Sequence, residues 1–116
     1  MTTQAEEQAI ADAIRKAEND AANSLPAVAQ RMSDGLQAWM DAKAKAYGYE
    51  DIARCCTYFN SSIPDFKREA IAAVAWRDAV WVTAGELQYM VMHGLRALPT
   101  PEELIAEMPN YEEFLT

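Results

Sequence analysis

Residues 64–93 read PDFKREAIAAVAWRDAVWVTAGELQYMVMH, and this stretch predicts one long helix. Apolar or small side chains recur every three or four residues, which is the spacing of one helix face. Pro64 suits the first turn of a helix, and Gly94 is a typical C-terminal stop. Further apolar side chains extend the face over more than half of the circumference, so we expect a central helix contacted on several sides. The main face comprises Phe66, Ala70, Ala73, Arg77, Val80, Ala84, Leu87 and Val91.

The composition agrees with a small protein built only from helices. The chain has 116 residues, of which 51% are hydrophobic, and this length fits one compact domain. Many of the apolar residues are alanine, which favours helix, whereas β-branched residues are sparse. The predicted fold is therefore all-α: a small helical bundle around residues 64–93, with an N-terminal amphipathic helix or kinked helix pair.

The N-terminal region carries an apolar stripe that repeats every eleven residues. A repeat of that length, at about 3.67 residues per turn, gives a nearly straight stripe on a helix. Because Pro26 and Gly35 disfavour one unbroken helix and Ser24 can cap a new one, we expect two helices at about 4–23 and 25–46, or one helix kinked near Pro26. The stripe either packs on the rest of the domain or associates with other copies, and the pattern does not fix how many. Its members are Ile10, Ile14, Ala17, Ala21, Leu25, Val28, Met32, Leu36 and Trp39.

A short helix is predicted between the N-terminal region and the long helix. Gly48 is a good C-terminal stop for the preceding helix, and apolar residues at helical spacing then predict a helix at about 50–59. Ser61 or Ser62 can cap the long helix, because Pro64 suits its first turn.

The last helix has the clearest start in the sequence. Thr100 is placed to cap it, Pro101 takes the first position, and Glu103 completes a capping box. We expect this helix at about 101–108. The tail at 110–116 keeps apolar residues and is expected either to dock on the core or to hook a partner.

Charge and hydropathy exclude several function classes. The formal net charge is −8, which disfavours direct binding to DNA or RNA because a nucleic-acid footprint needs a basic patch. No apolar run approaches the ~20 residues of a membrane span, and the N-terminal residues lack the layout of a signal peptide. The adjacent Cys55 and Cys56 suit a reducing compartment. A cytoplasmic protein without membrane contact is therefore expected.

No combination of residues predicts a catalytic, cofactor or metal site. Zinc needs about four nitrogen or sulfur ligands, and the chain offers only His93 and the cysteine pair. A nucleophilic pair of Cys55 or Cys56 with His93 is formally possible, but the cysteines lie in an apolar stretch and His93 ends a helix, so structural roles are favoured. Nucleotide-binding loops and hydrolase motifs are absent from the sequence. We expect no enzyme and no cofactor.

Residues 75–81 read AWRDAVW and contain the most distinctive motif of the chain. Arg77 falls on the apolar face of the long helix, where a partly buried guanidinium needs an acceptor. Glu50, Asp51 or carbonyl groups at the end of the preceding helix are candidates, and successive side chains splay too far apart for Arg77 to face Asp78. Arg77 is therefore predicted to tie the short helix to the long one, and the tryptophans are predicted to pack in the core rather than to form a ligand box.

Several short motifs follow one another in order between residues 47 and 109. They are Tyr49-Glu50-Asp51-Ile52, Cys56-Thr57-Tyr58, Pro64-Asp65-Phe66, Trp76-Arg77-Asp78 with Trp81, Gly94-Leu95-Arg96, and Pro99-Thr100-Pro101-Glu102-Glu103-Leu104-Ile105. This series resembles a small helical module of tailed bacteriophages and prophages, found at the C-terminal end of tail-fibre proteins and in short stand-alone proteins near the tail genes. The resemblance divides the chain into an N-terminal helical region, 1–46, and a tail-associated module, 47–116.

The resemblance implies a structural or adaptor component of a phage tail or tail fibre. Such a protein would act through contacts with another tail protein, and the stripe would make it a homo-oligomer. It would be found in the host bacterial cytoplasm during assembly and in the virion tail. Two other functions stay open: an assembly chaperone that shields a partner with an exposed apolar stripe, and an acidic inhibitor of a host protein. The inhibitor is less favoured, because the acidic residues are scattered among helix caps.

Overall fold

The computed structural model describes residues 3–22 and 24–116, and every regular element in them is helical. This confirms the predicted all-α fold and the long central helix. The predicted end of the first helix, Asn23, lies outside the described residues. The same holds for the side chain of Ala21, a member of the stripe. The helices are α1 (Gln4–Ala22), α2 (Leu25–Ala46), α3 (Ile52–Cys56), α4 (Pro64–Met92) and α5 (Pro101–Ala106), with 3-10 turns at Thr57–Asn60 and Tyr111–Phe114.

The chain divides into two compact units, Met1–Ser33 and Asp34–Thr116. The boundary lies within α2 and therefore earlier than the division at 46/47 that the sequence resemblance suggests. The later half of α2 supplies buried residues to the second unit. They are Leu36, Met40 and Ala44.

The first unit contains two helices with well-formed starts. At α1 a capping box is present: the Thr3 hydroxyl accepts from the Glu6 backbone N–H, and the Glu6 carboxylate accepts from the Thr3 N–H, both at 3.2 Å. The Ser24 hydroxyl caps α2 by accepting from the Ala27 backbone N–H at 3.4 Å, and Pro26 lies in the first turn. Of the two alternatives, the chain therefore has separate helices α1 and α2.

The second unit is built around the Trp76 side chain, which is fully buried. Its ring makes edge contacts with Trp39 of α2, at a centroid distance of 5.2 Å, and with Tyr111 of the tail, at 5.4 Å. Its indole N–H donates to the Pro109 carbonyl at 2.7 Å. One side chain on α4 thus joins α2 and the C-terminal tail, and the expectation of core packing for Trp76 holds.

The C-terminal tail is docked on the second unit. Tyr111 is buried, its hydroxyl donates to the Glu69 carbonyl at 2.8 Å, and its ring packs edge-on against Tyr47 at 5.0 Å. The Lys43 ammonium pairs with the Glu112 carboxylate at 2.7 Å. The docked alternative for residues 110–116 is therefore the one that the chain adopts.

The helix predicted at about 50–59 is shorter in the structure. Asp51 is its N-cap and accepts from the Arg54 backbone N–H at 2.7 Å. Asp41 of α2 accepts from the Ile52 N–H at 3.1 Å, so the start of α3 is also held by α2. The last predicted turn forms a 3-10 turn, because i→i+3 bonds tighten the chain before it redirects into α4.

The serine cap predicted for α4 is wrong. The N-cap residue is Ile63, which provides no side-chain acceptor, and the Ser61 hydroxyl instead accepts from the Ile63 N–H at 3.1 Å. Ser61 therefore shapes the turn before the helix rather than its first turn. Pro64 lies at the start of α4 as predicted, and its lack of an N–H removes one donor that a cap would otherwise satisfy.

The end of α4 and the start of α5 agree with the predictions, whereas α5 ends at Ala106 rather than at about 108. Gly94 has a φ of +68°, the left-handed conformation that glycine adopts without strain, and follows the end of α4. Thr100 and Glu103 form the capping box, with the Glu103 N–H donating to the Thr100 hydroxyl at 3.2 Å. Pro99 is buried and leads into the cap.

Trp76→Phe is expected to lower the free energy of unfolding by about 2–4 kcal/mol, because it leaves a cavity and deprives the Pro109 carbonyl of its donor. Urea unfolding followed by circular dichroism measures the change. Trp81→Phe is the matched control: Trp81 lies on the same helix but is only half-buried, so its replacement should cost clearly less. Equal losses in the two variants would contradict the central role of Trp76.

Candidate protein-interaction surfaces

The Trp-Arg-Asp motif supplies one core residue and one surface ion pair. Trp76 is buried, whereas the Arg77 guanidinium pairs with the Asp78 carboxylate at 3.0 Å on the helix surface. The expectation that Arg77 would bind Glu50 or Asp51, and not face Asp78, is therefore wrong. The physical reason is that the long arginine side chain folds back along α4 and remains 38% exposed, so its charge is not withdrawn from water.

The two residues expected to accept from Arg77 have another partner. Glu50 pairs with the Arg54 guanidinium at 3.3 Å, and Asp51 caps α3 at the Arg54 backbone N–H. Arg77 still lies near α3 through Cys56: burial raises the pKa of the Cys56 thiol, and the neighbouring guanidinium opposes that shift in part. The contact that Arg77 makes with the short helix is thus with a thiol, not a buried salt bridge.

The cysteines and His93 belong to different parts of the structure. Cys55 is buried with its sulfur 4.0 Å from the Glu69 carbonyl, and burial raises the pKa of its thiol to about 12. The His93 ring stacks on Tyr89 at 4.0 Å, and its Nδ1 lies 2.9 Å from the Tyr89 carbonyl. Since residues 69 and 93 are about 36 Å apart along α4, at 1.5 Å per residue, no cysteine–histidine pair is assembled.

A polar group around Glu69 was not foreseen from the sequence. The Tyr49 hydroxyl donates to the Glu69 carboxylate at 3.0 Å, and the Tyr111 hydroxyl donates to the Glu69 backbone carbonyl. Burial raises the pKa of both tyrosines. Both phenols are therefore held neutral as hydrogen-bond donors, and the group joins the loop before α3 and the tail to α4. Its components are distant in sequence, so no local pattern could indicate it.

Most of the exposed large apolar side chains fall in three stretches of the described chain, and Ile71 and Val82 of α4 lie apart from them. The first lies on the stripe in the N-terminal unit, where Ile10, Ile14 and Leu25 are 56%, 54% and 56% exposed. The second surrounds the first 3-10 turn and comprises Tyr58, Phe59, Ile63 and Phe66. The third lies at the end of α4 and comprises Tyr89, Met92, Leu95 and Leu98.

The predicted stripe is thus divided between two environments. Leu36 is buried, and Trp39 packs on Trp76, so these members belong to the core of the second unit. Val28 and Met32 are half-buried. The end of the stripe therefore packs internally, as the first alternative predicted, while its beginning leaves large apolar side chains in water. Association of that beginning with other copies stays a prediction.

Arg77→Met is expected to change the free energy of unfolding by less than about 1 kcal/mol, because it removes a solvent-exposed ion pair. Thermal unfolding of the variant and of the wild type measures this change in free energy. Lys43→Met, which breaks the ion pair between α2 and the tail, serves as the comparison. A loss of several kcal/mol on replacing Arg77 would instead indicate that the guanidinium has a major role in joining α3 to α4.

Stability is expected to fall as the pH rises from about 9 towards 12. The pKa of Cys55 is raised in the folded chain, so the unfolded chain loses that proton first and is favoured at alkaline pH. The pKa values of Tyr49 and Tyr111 are also raised in the folded chain, so these two groups lower the free energy of unfolding further from about pH 10. Chemical unfolding across this range measures the slope, and Cys55→Ala should make it shallower at its lower end. A pH-independent free energy of unfolding would contradict the assigned burial.

Comparison of the chain with models of protein families, with curated proteins and with solved structures gave no match. Within residues 3–22 and 24–116, no helix is both long and apolar enough to cross a membrane. In the same part of the chain, no group of three or more His, Cys, Asp or Glu side chains is arranged to hold a metal ion.

Proposed function

We propose that this protein is a non-enzymatic, tail-associated protein of a bacteriophage or prophage, and that it self-assembles through α1 as a structural or adaptor component. Its second unit would be a compact helical knob that contacts another tail or tail-fibre protein. The tail setting rests on the ordered series of motifs that resembles the tail-associated module. Assembly in the bacterial cytoplasm and a place in the virion tail follow from that setting as part of the proposal.

The exposure of the α1 side chains is the main observation that supports the proposal. This helix has 19 residues, and every side chain described in its first 17 positions is exposed. Most helical stability in proteins comes from the packing of an apolar face, and α1 has no such packing along these positions. Ile10 and Ile14 are one turn apart and lie on the same face. Such a helix is expected to be completed by contact with another chain.

A second copy of the chain suits that contact. The eleven-residue spacing keeps the apolar stripe nearly straight, so two parallel or antiparallel copies could stay in contact along it. Each fully buried isoleucine or leucine would contribute about 1.5–3 kcal/mol. Ala9, Ala13 and Ala17 follow one another at four-residue spacing, and their small side chains would allow the helix axes to approach closely.

An assembly chaperone is the second candidate, and the same exposure favours it. In that case α1 would cover an apolar segment of a tail protein, and the chain itself would stay monomeric. The two candidates differ in what covers Ile10 and Ile14: another copy in the first, a different protein in the second. The solution mass of the isolated chain distinguishes them.

The full chain is expected to be an oligomer, and Ile10→Ser/Ile14→Ser is expected to shift it to monomer, because the serines remove the apolar contact. Light scattering after gel filtration gives the absolute mass. The matched control is Ile71→Ser/Val82→Ser, which replaces two exposed apolar residues of α4 and should leave the mass unchanged.

Two outcomes would count against self-assembly through α1. A wild-type chain that is monomeric at high concentration would favour the chaperone, and co-expression with tail proteins should then yield a complex that the Ile10/Ile14 variant does not form. An oligomer that persists in the Ile10/Ile14 variant but is lost in the Ile71/Val82 control would place the contact on α4.

A further inference from the structure

We propose that the outer face of α4 is a docking surface for an amphipathic helix of a partner protein, and that this helix carries carboxylates near one end and lysine or arginine near the other. The surface, called here the α4 outer face, lies opposite the core side of the helix. It contains none of the α1 residues of the proposed self-assembly, and its assignment does not depend on them. Its members are Ile71, Ala75, Asp78, Val82, Gly85, Tyr89 and Met92.

Helix geometry places these seven residues on one surface. They are separated by steps of four and three residues in regular alternation, and side chains at such spacings are neighbours along a helix. At 1.5 Å per residue, the surface they form is about 32 Å long. All seven residues are exposed, and the four large apolar ones are each more than half exposed: Ile71, Val82, Tyr89 and Met92.

The core of the second unit covers the opposite side of α4. Trp76, Val80 and Leu87 are buried, and at 3.6 residues per turn they lie across the helix axis from Val82. A helix that is apolar around most of its circumference is normally covered on more than one side. Helix α4 has that composition, but its outer face is exposed, so the described residues of this chain do not supply the second cover.

The middle of the α4 outer face suits close contact with another helix. Ala75 and Gly85 have the smallest side chains, and a methyl group at Gly85 would meet no packed neighbour within 4 Å. Packing inside the chain therefore gives no reason for a glycine there, although glycine weakens a helix interior. The Asp78 carboxylate is paired with the Arg77 guanidinium at 3.0 Å, so the one charge within the face has its counter-charge beside it.

Charges of opposite sign flank this face at two places. Lys67 and Arg68 precede Ile71 by one turn, and Glu86 precedes Tyr89 by one turn. All three charged side chains are exposed, and none of the ion pairs formed by the described residues includes them. The two places are about 27 Å apart along the helix. An occupant is therefore complementary when it places carboxylates over the start of α4 and a lysine or arginine about five turns further along.

A second copy of this chain does not satisfy both the charges and the apolar contacts. In a parallel pair of α4 helices in register, Glu86 faces Glu86 and Arg68 faces Arg68. In an antiparallel pair, the register that brings Arg68 to Glu86 leaves Tyr89 and Met92 opposite or beyond the first residues of α4. Helix α1 has acidic residues in its first turn and in its last two turns, so in either direction one acidic end would lie towards Glu86. The face therefore favours a helix of a different protein.

The test uses a fluorescently labelled synthetic helix of about seven turns, with leucine at alternating four- and three-residue spacing, glutamates at one end and lysines about five turns further along. Fluorescence anisotropy with the full-length protein measures the affinity. Ile71→Ser/Val82→Ser should weaken binding by about tenfold or more, because two apolar contacts are lost. Ile10→Ser/Ile14→Ser, which alters α1 only, is the matched control and should bind the peptide as the wild type does.

A change of sign at Glu86 tests the charge pattern without altering the core, since this side chain is exposed. Glu86→Lys should weaken binding of the first peptide by about threefold or more at low salt. The same variant should bind a second peptide, which carries glutamate at both places, more tightly than the wild type does. Both effects should shrink as salt is raised, because exposed charges are screened.

Four results would overturn the proposal. Three concern the peptides: unchanged affinity in the Ile71/Val82 variant, loss of binding in the Ile10/Ile14 control, and no change of peptide preference in Glu86→Lys. The fourth is a fall of the Ile71/Val82 variant below the wild-type mass in light scattering, which would make a second copy the occupant. Circular dichroism shows whether each variant is folded, and the Glu86 variant keeps the test valid if the serine variant is not. Because the Ile10/Ile14 variant should retain peptide binding, failure here is distinguishable from failure of self-assembly through α1.

Discussion

The burial of the Trp76 indole between α2 and the C-terminal tail is the interaction on which the second unit depends. A tryptophan provides a large apolar surface, but its N–H must find an acceptor when it is buried. The Pro109 carbonyl supplies that acceptor, and Trp39 and Tyr111 pack edge-on against the ring. The position of the tail is therefore set by a hydrogen-bonding requirement on α4. Tyr111 is held by a second hydrogen bond of this kind, since its hydroxyl donates to the backbone carbonyl of Glu69 on α4.

The apolar stripe has different surroundings along its length. Leu36 of α2 is buried in the second unit, whereas Ile10 and Ile14 of α1 are exposed although they belong to the same eleven-residue pattern. The pattern specifies which side chains share a face of a helix, but it does not specify what covers that face. The boundary at Ser33/Asp34 marks where packing on the second unit begins.

Helix ends and helix faces could be predicted from local sequence because their causes are local. The capping box at Thr100, the glycine at position 94 and the apolar face of α4 depend on residues within one or two turns. The polar group at Glu69 could not be predicted in this way, because it joins Tyr49, Glu69 and Tyr111 across the fold. The acceptor of Arg77 was predicted wrongly for a related reason. A guanidinium that reaches water can pair with its neighbour on the helix and needs no buried partner.

The difference between local causes and long-range contacts also applies to the exposed apolar groups. The core around Trp76 has its apolar contacts within one chain, and its polar groups have partners there. Ile10 and Ile14 lie on a straight stripe in an acidic helix, and a second copy can cover that stripe if the charged residues stay on the outer faces. Tyr89 and Leu95 are likewise exposed at the end of α4, although backbone hydrogen bonds around Gly94 fix the chain there. The spacing of apolar residues thus predicts a helix face, whereas the burial of that face depends on contacts with residues that are distant in the sequence.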